Sequence, residues 1–406
     1  MGKLTRPLFD FSSLVMMVLL VPCGALAAPL VPMGQVTHVG TGEGGRAAVF
    51  SDGGFVVVWN APNTLRARLF DRDAVATSGE IALVRPAGQV LTSVATLPRG
   101  FVVVWDQANA GGLVSVFARV FDRSGAPVSR PFKVHENSQY HRNEGFVAAT
   151  PDGGFAVACN AANDPKVGFL SRFFDPTGVP LGPSATPFDG VAGLFGMAVG
   201  QDGVLTALFD GGEDSSFLVW ERRDQAGSIL GENTFEESRP DDQVGFAPFF
   251  SGFSFLPDGG FRIAWPSFGG QVSSIYAQTF DSAGQAALDA TPVKVSGRPG
   301  WASNPLLAAL PDGGFLAIYS QSDLGRPHQR SSGDVTGVGP LFVRSFNADE
   351  TPATRPLRLS REFAGDQLGT ALAVGPHGEA VAVWFEADPD PTKPGHVVAR
   401  ALRALE

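Results

Sequence analysis

The sequence predicts an all-β protein in which seven four-stranded antiparallel sheets stack as blades around an axis. Three observations predict it. A stretch like Ser51–Trp59, a tight Asp-Gly-Gly turn running into an apolar strand that ends in an aromatic, recurs along the chain. A second signature, Arg-x-Phe-Asp-x-x-Gly, follows each copy with varying fidelity. No segment holds a helical apolar period, and 50 Gly and 31 Pro in 406 residues break the chain too often for long helices.

The copies align on the residue that closes the first signature: Trp59, Trp105, Cys159, Phe209, Trp265, Tyr319 and Trp384. These positions are about 54 residues apart on average, near the periods of about 40–50 that blade repeats show. The turn reads Asp52-Gly53-Gly54, and again Asp152-Gly153-Gly154, Asp258-Gly259-Gly260 and Asp312-Gly313-Gly314. It shortens to Pro98-Arg99-Gly100 in the second copy. It is worn to Asp202-Gly203-Val204 in the fourth and His377-Gly378-Glu379 in the seventh.

Each repeat divides into four short strands, A to D. Strand A, such as Ser93–Leu97 or Leu306–Leu310, leads into the turn. Strand B, such as Phe101–Trp105, is apolar at every position, which predicts burial on both faces. Blades stacked face to face bury a strand in that way. Strand C carries the second signature, as in Ala118–Gly125 and Ser171–Gly178, and strand D is a piece such as Pro131-Phe132-Lys133-Val134. Asp-Gly and Gly-Gly supply the positive φ that a tight A–B hairpin needs, and Asp-x-x-Gly does so between C and D.

The ends complement each other. The last copy stops after strand C, Val397–Leu402, while Gly34–Val39 resembles a D strand and has no A, B or C before it. The expected arrangement is a closed ring, with Val36–Val39 as the outer strand beside Val397–Leu402. Closure hides the blade faces that an open stack would have to cap.

On these residues the chain resembles exported bacterial β-propeller proteins built from Leu-Pro-Asp-Gly-Gly-Phe-x-Val-x-Trp and Arg-x-Phe-Asp-x-x-Gly repeats. The resemblance covers about residues 34–403. It implies a seven-bladed β-propeller and no single activity.

Residues 1–27 read as a signal peptide. Lys3 and Arg6 form the basic region, Leu14–Val21 the apolar region, and Ala25-Leu26-Ala27 a small-x-small cleavage site before Ala28. The apolar run is too short to span a bilayer. Leu20-Val21-Pro22-Cys23 departs from a lipoprotein box at Pro22, so a secreted, periplasmic or cell-envelope protein is expected over a lipoprotein. Residues 28–406 then form one propeller domain. Of the 2 Cys only Cys159 remains, so no internal disulfide forms and stability rests on the core. The net charge of −10, with no basic cluster, argues against nucleic-acid or anionic-membrane surfaces.

Motifs for chemistry are sparse. The 6 His are scattered without ligand spacing, and nucleophile-elbow and phosphate-loop patterns are missing, so neither a metal nor a cofactor is expected. Ser51–Phe55 compares with a sialidase Asp-box but reads as a hairpin turn whose Asp bonds its own backbone. Arg68, Arg119, Arg172, Arg344 and Arg400 recur on strand C, where a structural pairing, with a turn Asp as one partner, is expected over anion binding. Cys159 stands at an aromatic position and reads as core.

Loop length separates the two rims. The A–B and C–D turns stay short, whereas the B–C and D–A connections vary and fall on one rim. They include His135–Glu144, Glu236–Asp242, Arg298–Trp301, Gln321–Pro340 and Phe385–Pro394. Function concentrates on such loops. Candidate ligand-binding residues there are Trp301, as a partly exposed aromatic, Arg142, and the polar residues ending strand B: Asn60, Asp106, Asn160 and Asp210. The expected function is a monomeric binding or scaffold module recognising an extracellular protein or glycan. The alternative is a propeller glycoside hydrolase or lyase using rim carboxylates such as Asp106, Asp210 and Glu386.

Overall fold

The computed structural model describes residues 30–404 apart from 85–88, 137–139, 162–167, 186–193, 211–216, 237–251, 257, 270–271, 287–291, 298–299, 323–338, 361–369 and 389–392. The expected signal peptide and cleavage site lie outside the described residues, as do parts of each long loop singled out above.

The chain is a seven-bladed β-propeller. Blade one is β3 (Glu43–Val49), β4 (Phe55–Ala61), β5 (Thr64–Phe70) and β6 (Ile81–Val84) in sequential antiparallel order. Blade two is β7 (Gln89–Leu97), β8 (Gly100–Ala108), β9 (Val114–Asp122) and β10 (Phe132–Lys133). Blade three holds β11 (Asn143–Ala149), β12 (Phe155–Asn160) and β13 (Phe169–Phe174), extended outward by a Ser171–Ala185 bridge. Blade four runs β14 (Leu194–Val199), β15 (Leu205–Asp210), β16 (Phe217–Arg223), β17 (Ile229–Glu236). Blade five runs β18 (Gly252–Phe255), β19 (Phe261–Gly269), β20 (Val272–Phe280), β21 (Val293–Lys294). Blade six runs β22 (Trp301–Ala309), β23 (Phe315–Ser322), β24 (Leu341–Phe346), β25 (Leu357–Arg358). Blade seven has β26 (Ala371–Val374), β27 (Ala380–Glu386) and β28 (His396–Ala404). It is completed by β1 (Leu30–Pro32) and β2 (Thr37–Thr41), both antiparallel to β28.

The first signature is a turn followed by a core strand. Gly53 and Gly153 adopt φ of 84° and 89°, where side chains are strained. The Asp accepts its own turn's N–H, Gly54 to Asp52 Oδ1 at 3.1 Å and Gly314 to Asp312 Oδ1 at 2.9 Å, as the hairpin reading expects. A Cβ on Gly154 would lie 2.3 Å from the Phe174 carbonyl oxygen, so the second glycine is set by close approach to strand C. The Phe that follows stacks on the Phe of the second signature across the pair, Phe55 on Phe70 at 4.9 Å and Phe315 on Phe346 at 4.4 Å.

Strand B is buried on both faces, as in Phe101–Trp105, none of which is exposed. Val56 and Val58 pack with Val94, Phe101 and Val103 of blade two, while Val57 packs with Val381 and Val383 of blade seven. The described core falls into seven clusters, one at each blade–blade contact. An open stack of seven blades has one contact fewer, so the seventh cluster is the closure. Cys159 is fully buried among Val104, Phe155 and Leu170, and burial pushes its thiol far up, as a core residue requires.

The strand C arginines join the blades through backbone carbonyls, not through a turn Asp. Arg119 donates from Nε to Ser129 O at 3.0 Å and from Nη1 to Leu83 O, on the D strand of the preceding blade, at 2.9 Å. Arg172 repeats this with Gly182 O and Val134 O, and Arg344 with Thr354 O and Val295 O. Arg68 reaches Val39 O, which places β2 in the D-strand role for blade seven. The pairing expected with a turn Asp fails because the guanidinium points along the outer strands, where free carbonyls are the available acceptors. Blade four puts Glu221 at this position, fully buried and bonded to Arg223 of the same strand.

Candidate functional site

The long-loop rim begins with an irregularity in strand A. Register shifts interrupt β3 between Glu43 and Arg46, β7 between Leu91 and Ser93, β11 between Asn143 and Phe146, and β14 between Leu194 and Gly196. Such bulges leave backbone N–H groups outside the ladder, and buried donors need acceptors. The polar residue ending strand B of the preceding blade supplies one. Asn60 Oδ1 accepts from Leu91 N at 2.9 Å, Asp106 Oδ2 from Glu144 N at 2.8 Å, and Asn160 Oδ1 from Leu194 N at 2.6 Å. Asn60, Asp106 and Asn160 therefore clip blade one to two, two to three and three to four.

Asp106 is the exception among them. Asn60 and Asn160 carry a neutral amide, which meets the same need for an acceptor without charge. Burial pushes Asp106 up to about 6, and the nearby Glu144 carboxylate adds to the rise against two backbone N–H bonds. Its Oδ1 is buried without a hydrogen-bond partner. Glu144 sits at φ 55°, an uncommon conformation for a side chain of its size. It accepts from Asn160 Nδ2 at 2.6 Å through Oε2. Asp106, Glu144 and Asn160 thus form one polar chain across blades two and three, which reaches blade four through the Leu194 N–H.

This chain borders a cleft of about 550 Å³ at the long-loop rim, where the inner strands of blades one to three converge. Its polar lining includes Arg46, Thr92, Asp106, Gln107, Asn143 and Glu144, with Val90 and Phe146 as apolar wall. Arg46 is fixed by donating from Nε to Thr92 O at 3.0 Å and from Nη1 to Gly45 O at 3.1 Å, and burial lowers its pKa. One guanidinium and two carboxylates therefore meet at a concave, half-apolar wall. A second cleft, of about 490 Å³, opens on the opposite rim among the A–B turns of blades four to seven, lined by residues such as Val199, Phe255, Leu310 and Pro376.

The other expected site residues fall elsewhere. Trp301 is not a loop aromatic: it is the first residue of β22, directly after Gly300, opposite Ser322 and half-buried. Arg142 is buried, donating from Nη1 to His141 O at 3.1 Å, and its backbone N–H bonds Val114 O. Asp210 ends β15 opposite Leu218. Glu386 accepts the Trp384 indole N–H at 3.0 Å. Glu386 is not in the described lining of the cleft, and the carboxylate that joins Asp106 there is Glu144. Sequence reasoning placed Glu144 only at the end of a variable loop. Arg46 lay in an inner strand with no repeated counterpart to draw notice. The polar residues ending strand B, Asn60, Asp106, Asn160 and Asp210, were the one available signal, and it did not favour Asp106 over Asp210.

No family model and no curated protein sequence matches the chain. Among solved structures it is similar to polysaccharide lyase Uly1, with a TM-score of 0.50 and 9% identity over 94% of this chain and 100% of that one. It is similar to a fungal alcohol oxidase of the AA5 family, in complex with copper, with a TM-score of 0.50 and 13% identity over 93% of this chain and 76% of that one. The S511A mutant of puromycin hydrolase gives a TM-score of 0.49 and 14% identity over 85% of this chain, which spans 50% of that hydrolase. At such identities the likeness shows the propeller fold alone.

Proposed function

We propose that the protein is an exported binding module of the propeller-repeat type, and that it takes a glycan segment in the cleft of blades one to three. The observation that carries this is the cleft of about 550 Å³ with Arg46, Asp106 and Glu144 in its lining. Its volume is that of a small-ligand pocket, whereas a protein partner needs a broad patch of about 800 Å². Sugar hydroxyls both donate and accept, so carboxylates beside a guanidinium and amides suit them. Phe146 offers an apolar surface for a ring face.

The test is a glycan screen on purified residues 28–406, followed by titration of the best ligand. Arg46→Ala and Glu144→Gln are each expected to weaken binding about 10-fold or more, equivalent to about 1.4 kcal/mol. Unchanged affinity in both variants, with loss on altering the cleft of blades four to seven, would move the site to the opposite rim.

A second reading is a glycoside hydrolase or lyase, favoured by one observation. A carboxyl titrating at about 6 beside a second carboxylate suits general acid–base work. Turnover of a bound glycan, with a rate that changes through pH 6 and is lost in Asp106→Asn, separates an enzyme from a binding module.

A further inference from the structure

The closing seam brings together two histidines that the sequence separates by 358 residues. His38 of β2 and His396 of β28 lie across the antiparallel pair that completes the ring, with His38 opposite Val398 and His396 opposite Thr41. His38 Nε2 lies 3.2 Å from His396 Nδ1, and the ring centroids are 5.0 Å apart, edge to face. Two nitrogens bound to one tetrahedral ion at about 2.0–2.1 Å stand roughly 3.3 Å from each other. The seam already holds the two rings at that spacing.

We propose that His38 and His396 chelate one divalent cation of the zinc, nickel and copper class, which latches the N-terminal strand to the last blade. Imidazole nitrogen suits these ions over magnesium or calcium. His38 is exposed and His396 half-exposed, so water has access to the remaining coordination positions. The other nitrogen of His396, Nε2, lies 3.9 Å from Asp388 Oδ2, the side from which a carboxylate orients a ligating histidine. Two charges oppose each other at the site. Arg68 Nη1 donates to the His38 carbonyl at 3.5 Å, and the Glu80 carboxylate beside His38 is paired with Arg66. Among the described residues no third histidine, cysteine, aspartate or glutamate converges with the pair. The site is therefore bidentate in protein ligands.

The site also has a purpose in the fold. Every blade–blade contact but one joins segments close in sequence, and the seam joins the two ends of the chain. An ion bound to both ends adds stability to that seam through binding to the folded state alone.

The experiment uses chelator-treated residues 28–406 with ZnCl2, NiCl2 or MgCl2, read by calorimetric titration and thermal unfolding. Expected is one Zn²⁺ or Ni²⁺ per chain, a rise in Tm of about 3 °C at 100-fold excess over Kd, and no response to Mg²⁺. His38→Ala and His396→Asn should each abolish both signals while keeping the Mg²⁺-state unfolding curve. Failure of the wild type to bind Zn²⁺ or Ni²⁺ would overturn the proposal and leave the pair as a hydrogen bond between the two imidazoles. Equal binding in both variants would overturn it as well.

Discussion

Asp106 costs the fold stability where Asn60 and Asn160 do not. All three accept a bulge N–H from the next blade, but only Asp106 must also hold a carboxylate out of water. Its folded pKa of about 6 exceeds the ordinary carboxylate value. The sign follows directly. A raised folded pKa favours the folded state at low pH, and that contribution is lost as pH rises through about 6. Asp106→Asn is therefore expected to stabilise the protein by about 2 kcal/mol at pH 8 and by under about 1 kcal/mol at pH 4. Urea unfolding at the two pH values checks this; a variant less stable than wild type at pH 8 would mean that the carboxylate has a compensating partner.

At the scale of elements, the N-terminal pair β1 and β2 closes the ring. Leu30 and Val39 are buried against blade seven and its neighbours. Thr41 O accepts the Trp59 indole N–H at 3.1 Å, and Val39 O accepts from Arg68. Burial of Leu30 and Val39 alone accounts for about 4 kcal/mol. Deleting residues 28–40 should lower Tm by about 5 °C or more. It should also bare the edge of β28 and cause aggregation on heating. An unchanged Tm and solubility would make the segment a tail.

Across the whole molecule, contacts pass from blade to blade through three repeated devices: shared apolar clusters, strand C arginines, and strand B clips. A chain of this length ordinarily divides into domains that unfold separately. Here every blade is held on both faces, and closure removes the free ends from which unfolding of a linear repeat stack would start. Far-UV circular dichroism and the fluorescence of the buried Trp59, Trp105, Trp220 and Trp384 should therefore report one urea transition with one midpoint. Separate midpoints would show that groups of blades behave as independent units.

The repeats wrote the fold into the sequence because each blade reuses one local solution. Asp-Gly-Gly forces the A–B turn, the Phe residues of the two signatures face each other across strands B and C, and strand B must be apolar on both sides. The spare D-like strand at the N-terminus also foretold closure, since a lone strand and an incomplete blade have complementary unmet hydrogen bonds. The site was legible only in part. Asp106 was legible as one of the polar residues ending strand B, but its partner Glu144 and the guanidinium of Arg46 come from inner strands of other blades. Their meeting depends on the bulges and on the packing angle of three blades, which no local pattern encodes. That Trp301 opens a half-buried strand and Arg142 is buried was hidden for the same reason, because burial at a rim is decided by the neighbouring blade. The His38–His396 pair shows the limit most plainly. Each histidine is unremarked in its own segment, and only the closing of the ring, a contact between the two ends of the chain, puts their nitrogens within reach of one ion.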